Sequence, residues 1–221
     1  MIVAQPIDGW QAARYTENTI SKEVIPMKID FSRGAWNTDE LTHAYSYRFE
    51  ETPEFDQLDD CVQNRRNSDA KYGFDNITLL SRKEWQTGAR ISTRCAFQGD
   101  GAPLIVIADK LYTDARGVAR YGDYIEVVLY RGGMNVWRMV MKEGKVSWKK
   151  LVGVEYPVAC GDIHDLSVEI TPERLNIEAA GQKTSLLVDG LYTTFHLGIN
   201  ACEGFNRFYG MTIEGETVQR Y

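Results

Sequence analysis

From residue 89 to residue 213 the chain is a succession of short segments in which apolar and polar residues alternate. Turn residues close these segments about every 8 to 12 positions. A helix cannot bury such a pattern, because its apolar face returns every 3.6 residues, whereas a strand exposes alternate residues to opposite sides. In residues 89–97, Ala89, Ile91, Thr93, Cys95 and Phe97 fall on one face and Arg90, Ser92 and Arg94 on the other. Residues 103–108 are apolar throughout, as a strand covered on both faces must be. Residues 123–130, 135–141 and 146–151 read as a meander, separated by Arg131-Gly132-Gly133 and by Lys142-Glu143-Gly144-Lys145. Residues 164–170 and 174–179 alternate around Pro172, which cannot donate to a ladder and so marks a turn. Gly181 makes the next corner, and residues 184–188, 195–201 and 207–213 complete the series. Many short strands with regular turns predict an all-β sandwich or barrel.

The first 88 residues are less regular. Residues 41–49 and 76–80 read as strands, 56–71 and 110–122 as loops, and 21–36 carries no clear pattern. With no helical periodicity and no break in composition, residues 1–221 are expected to form one domain with an irregular N-terminal segment of about 40 residues. A chain of 221 residues is long enough to bury a core without staples. The net charge of −6 argues against a nucleic-acid partner, which calls for a concentrated basic face. Arg65-Arg66 reads as a solvated loop. No run of 18 apolar residues suggests a membrane partner, and residues 1–10 lack the basic and apolar regions of a leader, so a cytoplasmic location is expected. Cys61, Cys95, Cys160 and Cys202 lie far apart and are expected as free thiols, with Cys95 and Cys202 in strands.

Two segments carry a resemblance. His164-x-Leu166-x-Val168-x-Ile170, a turn, Leu175-x-Ile177 and Gly181 are similar to a strand pair of laminin-G and concanavalin A-like sandwiches. Phe195-x-Leu197-Gly198-Ile199, Gly204 and Arg207-Phe208-Tyr209 through Ile213 resemble the closing strands of the same folds. The resemblance covers about the last 130 residues. It implies a two-sheet antiparallel jelly roll of the concanavalin A-like lectin and glucanase superfamily, whose concave sheet face or rim loops bind glycans in many members. No organic cofactor is implied; some members carry structural calcium, for which Asp109, Asp114 and Asp123 around residues 110–122 are the oxygen donors to consider. The glucanase branch uses a Glu-x-Asp-x-x-Glu strand, and that motif is absent; residues 123–130 contain Glu126 alone of its acids.

Strand alternation then sorts the candidate ligand-facing residues. If Ile125, Val127 and Leu129 face the core, then Tyr124, Glu126, Val128 and Tyr130 face outward. A carboxylate between tyrosines suits sugar recognition, the rings covering C–H faces and the acid accepting hydroxyl hydrogen bonds; an ordinary solvated strand face would look the same. Phe195, Leu197 and Ile199 likewise leave His196, Gly198 and Asn200 outside, with Gly198 a bare strip of backbone. Glu203, Asn206 and Arg207 follow as rim candidates, and Arg138 would grip an acidic sugar or pair with Glu126 if it took the outer face. For glycoside hydrolysis two carboxylates about 5 to 10 Å apart are needed, and Glu126 with Glu203, assisted by His196, is the pair to examine. The histidines His43, His164 and His196 show no metal-ligand spacing.

Three readings follow from these residues: a carbohydrate-recognising domain, a glycoside hydrolase or lyase, and a non-catalytic subunit using Trp10, Trp36 or Trp148 as an interface anchor.

Overall fold

The computed structural model describes residues 26–46, 54–64, 76–143 and 145–218. These hold β1 (Met27–Asp30), a 3-10 turn (Thr38–Glu40), β2 (Leu41–Ser46), β3 (Asp56–Gln57), β4 (Val62–Gln63), β5 (Asn76–Ser81) and β6 (Trp85–Gln86). Then come β7 (Arg90–Gln98), β8 (Ala102–Ala108), β9 (Leu111–Thr113), β10 (Ala119–Tyr121), β11 (Tyr124–Tyr130) and β12 (Gly133–Lys142). The last are β13 (Lys145–Glu155), β14 (His164–Ile170), β15 (Arg174–Ala179), β16 (Gln182–Leu187), β17 (Thr194–Cys202) and β18 (Phe205–Glu214). No α-helix occurs among the described residues.

The strands form two sheets. One runs β16-β15-β14-β7-β18-β4-β3, with β1 also on β18; the other runs β13-β12-β11-β8-β17-β5-β2-β10-β9, with β6 on β17. Pairing is antiparallel except between β10 and β2. The meander expected from the three hairpin segments is β11-β12-β13, its third strand running on to Glu155 because the alternation continues past Leu151. Residues 110–122, expected as a loop, instead contain the β9–β10 hairpin, whose three-residue strands are too short to show a period. Part of the expected 56–71 loop is likewise paired, as β3 and β4. Residues 47–49 and 65–71, with Arg65-Arg66, and Trp10 lie outside the described residues.

Between the sheets, the inward side chains of β7, β14, β15 and β18 meet those of β8, β11, β12 and β17. Ile91, Phe97, Leu166, Val168, Phe208 and Ile213 pack with Ile105, Ile107, Ile125, Val127, Leu197 and Ile199, all at most 1% exposed. Burying each such side chain is worth about 1.5–3 kcal/mol before chain entropy is counted. The apolar run of β8 is explained by its burial on both faces. Ile105 and Ile107 join this core, while Leu104, Val106 and Ala108 join a second one on the far side of the sheet.

That second core exists because the larger sheet curls. After β8 the chain forms the β9–β10 hairpin at the β2 end of the same sheet and then returns as β11, although β8 and β11 are direct neighbours. The hairpin's last residue, Tyr121, pairs with Ser46 on β2, places its ring 5.0 Å from Tyr124 on β11, and its hydroxyl lies 3.1 Å from Thr78 on β5. A side chain that touches both β11 and β5 lies across the trough of the concave face. The four cysteines are free thiols, Cys61 and Cys95 buried and Cys160 exposed.

Candidate functional site: the concave face of the larger sheet

The register aligns the outward residues in rows across the curled sheet. One row reads Lys150, Trp137, Glu126, Val106, Gly198, Leu80, Thr42. On one side of it stand Trp148, Met139, Tyr124, Ala108 and His196; on the other Gly153, Asn135, Val128, Leu104, Asn200 and Thr78. Tyr124, Glu126, His196 and Asn200 therefore share the concave face. All four are nearly sealed, with Tyr124 and Asn200 at 0%, Glu126 at 4% and His196 at 7% exposure.

Asn200 and His196 are tied into the fold by hydrogen bonds. Asn200 Nδ2 donates to Thr78 Oγ1 at 2.6 Å, and Thr78 shares a hydrogen bond with the Tyr121 hydroxyl. Burial pushes the Tyr121 phenol well above its ordinary range, and the nearby Glu126 charge adds to this against the hydrogen bond with Thr78. His196 Nδ1 donates to the Ser81 carbonyl at 3.0 Å, since a carbonyl can only accept. The strand geometry puts His196 two strands from Glu126, roughly 10 Å. Gly198 has no side chain for a reason other than ligand access: a Cβ there would collide with the Leu79 carbonyl oxygen of β5.

Four other residues singled out in the sequence lie elsewhere. Arg138 shares its face with Val136, toward the inter-sheet side. Its guanidinium donates to the carbonyls of Asp189 and Gly190 and lies over the Tyr192 ring, so it does not meet Glu126. Asn206 and Arg207 belong to β18 of the opposite sheet. Asn206 is buried, with its amide donating to the carbonyls of Cys202 and Glu203, and Arg207 donates to Gln63 Oε1. Glu203 sits in the β17–β18 turn, where Ala102 and Cys202 pair just before it. It is five residues along β17 from the level of Glu126, roughly 16 Å of strand. Glu126 and Glu203 are thus too far apart to act as the pair that hydrolysis needs.

The half-exposed part of this face lies on β11–β13. Trp137 and Trp148, diagonal across the β12–β13 hairpin, stack with centroids 5.5 Å apart. The Lys150 ammonium lies 5.6 Å from the Trp137 centroid. Gly153 makes room for it, since a Cβ there would stand 2.9 Å from Lys150 Cε and Nζ and from Asn135 Oδ1. Asn135 Oδ1 is buried with no hydrogen-bond partner. Tyr130 and Val128 continue the wall, both half-buried. The sequence held the signal for this cluster: the alternation that sends Val136 inward sends Asn135 and Trp137 outward. What it lacked was the diagonal register across the hairpin, which is displaced between Val136 and Trp137 by a bulge. Of the proposed interface anchors, Trp148 is part of this stack, while Trp36 donates to Gln57 and packs edge-on against Phe31.

The acids considered for calcium do not converge. Asp114 spends its carboxylate on the amides of Arg116 and Val118 and on the Arg120 guanidinium. Asp123 Oδ1 accepts from the Met141 amide. Burial raises the pKa of Asp109, with the Lys110 charge opposing it. Among the described residues no group of three or more His, Cys, Asp or Glu side chains is placed to hold a metal ion.

Two stacked sheets, antiparallel but for the β10–β2 pair and the larger one curled into a trough, define a jelly-roll sandwich of the concanavalin A-like fold. Solved structures of that fold superpose on the chain along most of its length. Carbohydrate binding module CBM66 from Bacillus subtilis aligns with 80% of this chain and 96% of its own at 12% identity, with a TM-score of 0.57. β-Agarase A from Zobellia galactanivorans aligns over 86% and 87% at 9% identity, with a TM-score of 0.60. The exoplasmic/lumenal domain of VIP36, in a Ca2+/Man3GlcNAc-bound form, aligns over 88% and 93% at 12% identity, with a TM-score of 0.55. No family model matches the sequence, and no curated protein matches it either. At these identities the likeness is one of fold.

Proposed function

We propose that the chain is a carbohydrate-recognising β-sandwich and that the glycan lies along β11–β13 at the open side of the concave face. The observation that carries this reading is the Trp137–Trp148 stack beside Glu126 and Asn135. Indole faces cover the apolar C–H surfaces of a pyranose, and a buried amide oxygen with no partner of its own accepts a hydroxyl hydrogen bond. The fold supports the reading, since a carbohydrate binding module, a β-agarase and a VIP36 domain solved in a Man3GlcNAc-bound form share it. Tyr124 and Asn200 act here from beneath, holding the floor on which Glu126 and the tryptophans stand. Glu126, nearly sealed, is the acid that lies next to Trp137 beneath this wall.

The test is saturation-transfer NMR of the whole protein against a panel of neutral and charged oligosaccharides, followed over time. Saturation transfer that is lost in Trp137→Ala, with no new anomeric signals, is the expected result. New anomeric signals that vanish in Glu126→Gln would make the protein a hydrolase or lyase. No transfer from any member of the panel would remove the carbohydrate reading.

A further inference from the structure

We infer that the saccharide taken by this face is anionic, carrying a carboxylate or a sulfate, and that Lys150 meets that charge; this rests on the carbohydrate reading above. The protein is acidic overall, with a net charge of −6, yet the β12–β13 hairpin concentrates Arg138, Lys142, Lys145, Lys149 and Lys150 against two acids, Glu143 and Glu155. Lysines on an edge strand have a simpler use, which is to block pairing with another chain. Lys149 and Lys145 fit that use, exposed on the outermost strand of the sheet.

Lys150 is different. It is exposed like them, but it shares the concave face with Trp137 and Trp148, its stem runs over the bare backbone of Gly153, and its ammonium lies over the Trp137 ring. Among the described residues no carboxylate lies within ion-pair distance of it. A cation fixed beside an aromatic platform, with an acceptor amide next to it, fits a sugar ring that carries an acidic substituent at its edge. The ring lies on the indole, a hydroxyl reaches Asn135 Oδ1, and the anion reaches Lys150 Nζ. An ammonium discriminates by charge and not by planar geometry, so a carboxylate and a sulfate are both admitted.

The experiment is calorimetric titration of the whole protein with size-matched oligosaccharides: a neutral galactan, a sulfated galactan and a polyuronate. Inorganic sulfate and a single-stranded oligonucleotide complete the set, and Lys150→Gln and Trp137→Ala are compared with the parent. A charged saccharide is expected to bind about tenfold more tightly than its neutral counterpart, a charged hydrogen bond being worth that much. That margin should shrink as salt is raised. Lys150→Gln should abolish the margin, whereas Trp137→Ala should weaken binding of neutral and charged saccharides alike. The sulfated and uronate arms tell which anion is taken. Equal affinity for neutral and charged saccharides, or no effect of Lys150→Gln, overturns the charge inference while the carbohydrate reading stands. Loss of all saccharide binding overturns both. Tight binding of the oligonucleotide, or of sulfate alone to the same extent as the saccharide, also overturns the inference.

Discussion

Gly198 shows how a single residue is constrained by neighbours far away in sequence. Its Cβ position is taken by the Leu79 carbonyl, so Gly198→Ala forces β5 and β17 apart. Overpacking of this kind costs about 1–3 kcal/mol. Urea unfolding of the variant should show a midpoint lowered to match, with the slope unchanged; an unchanged midpoint would mean that β5 yields freely. His43 is held mostly neutral, because burial lowers its pKa from 6.5 while the charge of Glu54 opposes the shift. Above about pH 6.5 its contribution to stability is complete. As the pH falls below that value the unfolded chain takes up the proton first, so stability declines down to the folded pKa. Wild-type stability should therefore fall more steeply as the pH drops below about 6.5 than that of His43→Gln. Parallel curves would exclude His43 as the source. Thiol reactivity offers a third check. Burial pushes Cys95 up to about 12 and Cys61 up to about 11, and Cys160 is the exposed thiol. A thiol reagent should label Cys160 first in the native protein, and Cys61 and Cys95 only on unfolding.

At the scale of elements, the β9–β10 hairpin is the device that shapes the site. Its turn is organised by Asp114, whose Oδ1 accepts from the amides of Val118 and Arg116. The Val118 amide is the main cause that lowers the carboxyl to about 2, with Arg116 and Arg120 contributing. A depressed acid gives its stabilisation above the unfolded value near 3.9 and loses it as the pH falls through about 2. In Asp114→Ala the amides of Arg116 and Val118 should exchange faster in hydrogen-exchange mass spectrometry, while β14 and β15 keep their protection. Uniform loss of protection would mean that the turn is not a local unit. This hairpin was not legible in the sequence because its strands are shorter than the window a period needs. The alternation of β11 and β17 was legible, and it correctly put Tyr124, Glu126, His196 and Asn200 on one face. That this face is roofed by the protein's own Tyr121 was not, because no local pattern records what folds over a strand.

For the molecule as a whole, the two sheets share one large core and the curled sheet holds a second. Ile107 lies in the first, wholly buried between β11 and β17. Ile107→Ala should cost about 2–5 kcal/mol and lower both tryptophan-fluorescence and far-UV transitions together. Separate transitions would mean that the described strands do not unfold as one cooperative domain. Trp137 and Trp148 report on the concave face, and Trp85 on the main core.

The sequence by itself determined the longer strands from residue 89 onward and which side of each is apolar, because a pleated backbone turns period two directly into two faces. It also limited the fold to an all-β sandwich or barrel, since so many half-apolar strands have to bury their faces on one another. Only the tertiary structure decided which outward residues remain reachable. Curling the larger sheet and laying β9–β10 across it buried the tyrosine and asparagine that alternation had exposed. It left the tryptophans and Lys150 of the β12–β13 hairpin at the open wall. Curvature and strand order are set by packing between segments distant in sequence, and those energies are not written in any one stretch of it.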